Sequence, residues 1–133
     1  MKTLYMLDTD TCSYVIRGTS DVLVGRVKNH RTRLCMSSIT LAELLFGVAK
    51  KYSPRLAEAV TLLQQLVDVR PWTTEAAEYY AIIRKELELS GSPIGNMDML
   101  IAAAAKAERS CLVTNNTAYF SHIGNLRLEN WLA

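Results

Sequence analysis

Leu4-Tyr5-Met6-Leu7-Asp8-Thr9-Asp10 sets four apolar residues directly against two carboxylates separated by one threonine. A short apolar run of this kind suits a strand buried on both faces of a parallel sheet. Such a strand stops where the next connection begins, which places Asp8 at its carboxyl end. In open α/β sheets that edge is where ligands bind. The fold therefore turns on whether strands and helices alternate after Asp10, and the function on whether they return further acids to the same edge.

They do alternate. Thr11 to Arg17 reads as a short helix capped by Asp10 or Thr11 and stopped by Gly18. Ser20 and Asp21 open a second helix through Val27. Leu34-Cys35-Met36-Ser37 is a candidate second strand, and a helix runs from Thr40-Leu41-Ala42-Glu43 through Val48. Ser53-Pro54 starts the next helix in the favoured order of cap and then proline, with Leu56, Val60, Leu63 and Val67 at helical spacing. Val67-Asp68-Val69 is a third strand, ended by Pro71. Thr73-Thr74-Glu75 opens a long helix to about Leu89, and Ser90 to Asn96 is the clearest loop. Asp98 then begins an alanine-rich helix able to lie close to a sheet. Cys111-Leu112-Val113-Thr114 is a fourth strand and Leu126-Arg127-Leu128 a last one. This order predicts a single α/β domain over residues 1–133, a mostly parallel sheet of four to five short strands with helices on both faces.

Composition narrows the class further. The chain has 133 residues, half of them apolar and 21% charged, the values of an ordinary globular domain with a real core. No apolar run approaches the roughly 18 residues of a membrane span, and no signal peptide precedes Asp8. Three widely spaced cysteines, Cys12, Cys35 and Cys111, sit in or beside apolar stretches without zinc-type spacing. Free buried thiols in a reducing cytoplasm are the expectation. The net charge is only +2, yet basic residues gather at Arg26 to Arg33 and at Lys50, Lys51 and Arg55. These read either as a solvated surface or as a phosphate-attracting rim around an acidic centre.

Four polar positions fall at the ends of elements: Asp8, Glu43, Asp98 and Asn116. Hard divalent ions take oxygen ligands, usually one or two carboxylates with waters, and converging carboxylates repel unless a cation holds them. Each position also has a structural reading. Thr40-x-x-Glu43 has the form of a capping box, Asp98 that of a helix N-terminal acid, and Asn116 that of a turn residue. Asp10 reads as a cap. Asp8 has no evident capping duty. His30 and His122 lie in polar stretches and read as surface residues. No Ser-His-Asp arrangement, glycine-rich phosphate loop or Walker sequence occurs.

Five blocks in order resemble one family. Tyr5-Met6-Leu7-Asp8-Thr9-Asp10 resembles the opening of PIN-domain ribonucleases, specifically the VapC-like toxins of type II toxin–antitoxin systems. Ser38 to Gly47 resembles their second block, Pro93 to Ala103 their third, Val113 to Phe120 their fourth, and Gly124 to Trp131 their C-terminal signature. The resemblance implies Asp8, Glu43 and Asp98 meeting around Mg²⁺ or Mn²⁺, with Asp8 and Asp98 as ligands and Glu43 binding directly or through water. It implies hydrolysis of RNA by a metal-activated water, in structured RNA such as tRNA, with the anticodon stem-loop of initiator tRNA as the best guess. It also implies a homodimer and a VapB-like antitoxin whose tail covers the site. The chain departs from the family pattern at Asp10, where Asn is more usual, and at Asn116, where many PIN domains carry a fourth acid. A neutral amide binds a divalent cation less strongly, which weighs against two metals. The competing readings are an idle PIN-like module that only binds antitoxin or RNA, and a phosphoacceptor receiver. A receiver needs an aspartate after strand three and a lysine after strand five, where this chain has Val69-Arg70-Pro71 and Glu129-Asn130-Trp131.

Overall fold

The computed structural model describes residues 2–132. Strands β1 (Tyr5–Leu7), β2 (Leu34–Ser37), β3 (Asp68–Arg70), β4 (Cys111–Val113) and β5 (Leu128–Glu129) form one sheet in the order β3-β2-β1-β4-β5. Every neighbouring pair is parallel, with Tyr5 facing Leu34 on one side and Cys111 on the other. The three central strands are buried along their whole length, as their unbroken apolar sequences require. The last strand sits two residues later than its apolar residues suggest, because pairing with β4 matches Leu112 to Leu128 and Val113 to Glu129.

Helices α1 (Thr9–Arg17), α2 (Asp21–Asn29), α3 (Ser38–Lys51), α4 (Pro54–Leu66), α5 (Thr74–Ser90), α6 (Asn96–Ala107) and α7 (Thr117–Phe120) cover both faces. Strand alternation sorts the core in two. Tyr5, Leu7 and Met36 pack with Leu23, Val27, Val60, Leu63 and Trp131. Met6, Cys35 and Leu112 pack with Ile83, Leu87 and Ala102 to Ala105. The alanine run lets α6 lie directly on the sheet, since each of its four side chains is at most 4% exposed. Ser20, Ser53 and Thr73 cap their helices through side-chain oxygens, and Gly91 ends α5 in the left-handed conformation at φ 68°. All three cysteines are buried and free. No helix is long and apolar enough to cross a membrane among the described residues.

The strand order places the functional edge. From β1 the chain builds outward through β2 and β3, then crosses to β4 and β5 on the other side. The reversal falls between β1 and β4, and a crevice opens beyond the carboxyl ends of strands at such a switch point. Asp8 follows β1 there, and Thr114 follows β4.

Candidate active site

Asp8 is built into the switch point by backbone and side chain together. Its N–H donates to the Val113 carbonyl at 3.0 Å, and its carboxylate accepts from the Thr11 N–H at 2.8 Å. Asp8 is therefore the N-cap of α1. This corrects two expectations: Asp8 does carry a capping duty, and Asp10, an exposed residue in the first turn, does not cap. Asp8 is only 5% exposed. Burial pushes its carboxyl above the ordinary value; hydrogen bonds from Thr114 and Thr11 pull it down, and the Asp10 charge raises it further.

Glu43 comes from α3, whose cap is Ser37 rather than Thr40, because β2 runs into the helix without a loop. The capping-box reading of Thr40 and Glu43 therefore fails. Thr40 is buried. Glu43 instead accepts a hydrogen bond from the Thr9 hydroxyl at 2.5 Å across 34 positions of sequence.

Asp98 lies in the first turn of α6. Burial raises its carboxyl, Glu43 raises it next, a hydrogen bond from Tyr119 lowers it, and Asp8 and Asp10 raise it again. Asp98 thus feels the charges of acids on two other elements, Glu43 on α3 and Asp8 at the tip of β1. The Tyr119 hydroxyl also accepts the Gly95 N–H, so α7 is tied to the start of α6. Gly95 is required by close approach: a Cβ there would sit 3.2 Å from the Asp98 carboxylate and 3.4 Å from the Tyr119 hydroxyl.

Asn116 behaves differently from the three acids. It is exposed and makes no side-chain cap to α7, while its backbone N–H donates to the Thr114 hydroxyl at 3.1 Å. Its neighbour Asn115 has a buried side-chain oxygen without a hydrogen-bond partner. Thr9, Thr114, Asn115 and Tyr119 do not stand out in the sequence. The available signals are the threonine between two acids and the polar residues directly following β4.

The basic clusters separate. Arg31–Arg33 is a 3₁₀ turn leading into the amino end of β2, and Arg33 lies over the Tyr5 ring, so that run occupies the edge opposite the acids. Lys51 instead shares a cavity of about 300 Å³ with Glu43 and Thr9. His30 is half-buried, stacked on Trp131 with ring centroids 4.7 Å apart, rather than a surface residue. His122 is exposed as expected.

The donor set suits a hard divalent cation. It consists of oxygens alone, and two of its carboxyls are held above their ordinary value by burial and like charge. No three acid, histidine or cysteine side chains among the described residues close into a ready-made cage.

An all-parallel sheet with acids gathered at its switch point is the plan of a PIN domain, and the PIN domain family matches residues 5–126. Two relatives are the tRNA(fMet)-specific endonuclease VapC of Salmonella typhimurium, 36% identical over 96% of this chain and 97% of that one, and ribonuclease VapC2 of Rickettsia felis, 38% identical over 96% and 98%. The crystal structure of VapBC2 from Rickettsia felis bound to a DNA fragment from its promoter contains a chain that superposes with a TM-score of 0.91, at 37% identity over 97% of this chain and 99% of that one. The chain belongs to the PIN-domain family, among the VapC proteins.

Proposed function

We propose that the protein is a divalent-metal-dependent endoribonuclease, the toxin of a toxin–antitoxin pair. The observation that carries this reading is the set of acids at the β1–β4 switch point: Asp8 at the tip of β1, and Asp98, whose carboxyl is raised by burial and then by the Glu43 and Asp8 charges. The names of its VapC relatives support RNA as substrate, and the Salmonella relative supports initiator tRNA in particular.

Asp8 and Asp98 would hold the cation, with Glu43 binding directly or through water. When bound, Mg²⁺ or Mn²⁺ supplies charge neutralisation at the phosphate and makes water acidic enough to attack at neutral pH. The residues of the chain supply position. Thr9 fixes Glu43, Tyr119 fixes Asp98, and the Thr11 N–H and Thr114 hydroxyl fix Asp8. Asn116, exposed beside this centre, is a candidate contact to substrate or water and a weak metal donor, which favours one ion over two.

The partners follow from the same reading. A VapB-like antitoxin would cover the site, and a second copy would complete a homodimer in the cytoplasm. Exposed apolar side chains such as Phe46 on α3, 67% exposed, and Leu62 on α4, 56% exposed, support protein partners.

The decisive experiment maps new RNA 5′ ends after brief induction and repeats the assay in vitro with chelator. Dominant cleavage in one tRNA, lost with chelator and in Asp98→Ala, is the expected result. Cleavage that persists in excess chelator rules out the metal mechanism. The idle-module reading makes the opposite prediction, no calorimetric Mn²⁺ binding and no cleavage. The site residues fit that reading poorly, because a binding module has no need to bury Asp8 and set two half-buried acids, Glu43 and Asp98, near it.

A further inference from the structure

We infer that a groove running from Glu43 between α1, α3 and α4 is the track along which single-stranded RNA leaves the acidic centre, with Arg17, Lys51 and Arg55 as its phosphate contacts. The inference rests on the RNA-cleaving reading of Asp8, Glu43 and Asp98. It adds where the strand lies and which residues hold it.

The groove consists of two cavities that run together. The first, about 300 Å³, is lined by Thr9, Glu43, Gly47 and Lys51 and opens onto Arg17. The second, about 530 Å³, continues from Arg17 to Ser53 and Arg55. Both are lined by Ile16, Arg17 and Leu56, so the two cavities adjoin along a shared wall of two apolar residues and one cation. Three cations line this path. Glu43, at its inner end, is its single acid among the described residues. A ligand must therefore bring negative charge along its length, away from the acids, and neutral or apolar surface toward Ile16 and Leu56. A sugar-phosphate backbone with unstacked bases has that pattern.

The cations are available for such a ligand. The ion pairs among the described residues engage Arg70, Arg84 and Arg109, not Arg17, Lys51 or Arg55. Arg17 lies over the Tyr14 ring at 5.2 Å, which leaves its N–H groups free to fork a phosphate. Hydroxyls of Ser13, Thr19 and Ser53 stand beside the cations, and such hydroxyls commonly add contacts to a nucleic-acid backbone.

Gly47 lines the wall of the inner cavity. It lies in the interior of α3, where glycine is a poor choice for the helix itself. A Cβ built there meets no atom within 4 Å, so neither packing nor backbone conformation demands glycine. What its missing side chain does provide is space on the wall of the inner cavity.

The test uses the full-length chain. Binding of a labelled single-stranded oligoribonucleotide is measured against salt in an Asp98→Asn background, and cleavage is measured in the wild-type background. Arg17→Ala combined with Arg55→Ala should weaken binding at least tenfold at low salt. It should also flatten the slope of log K on log salt by about 0.7 for each phosphate that is no longer neutralised, with Arg17→Lys retaining the slope. Gly47→Gln should raise KM at least fivefold, with kcat falling less than KM rises and no loss of thermal stability. Unchanged slope and KM in the arginine double variant, in a protein that still cleaves RNA, would overturn the groove and leave the nuclease reading standing. A wild-type protein that cleaves no RNA removes the nuclease reading itself. Loss of binding to an antitoxin peptide with an unchanged RNA slope would assign the groove to a protein partner and equally overturn the inference.

Discussion

The Thr9 hydroxyl donates to the Glu43 carboxylate at 2.5 Å and lies 3.4 Å from the Thr40 hydroxyl, joining the first turn of α1 to the second turn of α3. The residue next to Asp8 is thereby the one that aims Glu43. Groups that orient ligands from behind typically cost about 10–100-fold in metal affinity or activity when removed. Thr9→Val, which keeps the shape and deletes the hydroxyl, should therefore lower RNA cleavage by about that factor. Thr9→Ser should recover most of it. Parallel Mn²⁺ calorimetry separates the cause: if Glu43 binds the ion, affinity falls with activity, and if it acts through water, activity falls more.

Asp8 combines a cap with a charge, and two substitutions separate them. Asn retains an oxygen able to accept the Thr11 N–H, so Asp8→Asn should abolish cleavage while leaving the melting temperature at or above that of the wild type. Asp8→Ala removes the cap as well, which costs about 1 kcal/mol, or about 4 °C in a domain of this size. Equal melting temperatures for the two variants would show that the cap bond contributes nothing.

The raised carboxyls make metal-free stability depend on pH in a definite direction. For Asp8 and Asp98 the folded value lies above the ordinary 3.8 of an aspartate. Between the unfolded and folded values the native state binds more protons than the unfolded state, so stability falls as pH rises through that window. Chelated protein should thus lose melting temperature from the ordinary carboxylate range upward, and Asp98→Asn should reduce that loss. Mn²⁺ binds only the folded, deprotonated acids, so its addition should restore stability at neutral pH and do little in acid. A chelated protein whose stability rises across this window would contradict the burial and repulsion assigned to the pair.

How far the sequence reveals this site depends on how local each cause is. β1 is legible because a strand buried on both faces leaves an unbroken apolar run. Asp8 is legible as the acid at its tip. Its cap is not, because strand end and helix start fall on consecutive residues and Asp10 looks like an equal candidate. Thr40 and Glu43 have capping-box spacing, yet β2 enters α3 at Ser37, so the spacing reflects a buried threonine and an acid bonded to Thr9 instead. The hydrogen bond between Thr9 and Glu43 spans 34 positions and leaves no periodic trace. Arg26 to Arg33 and Lys50 to Arg55 are alike in composition; only the direction of β2 puts the first group on the far edge. Helix α7 has four residues, too few to show a period, and Tyr119 is hidden with it.

Tyr119 links α7 to the start of α6 through a polar chain. Its hydroxyl accepts the Gly95 N–H and donates to Asp98, so a backbone dipole, a hydroxyl and a carboxylate stand in line and polarise one another. Removing the hydroxyl releases both ends: the Gly95 N–H loses its acceptor and Asp98 loses a bond that favours its charged form. Tyr119→Phe keeps the ring against Phe120, where the two rings meet edge-on at 5.4 Å, so the fold should persist. Mn²⁺ affinity should fall by about tenfold or more. The pH at which binding reaches half its maximum should move upward, since Asp98 loses a bond that favours its charge. A purely structural role would lower the melting temperature and leave that pH midpoint in place.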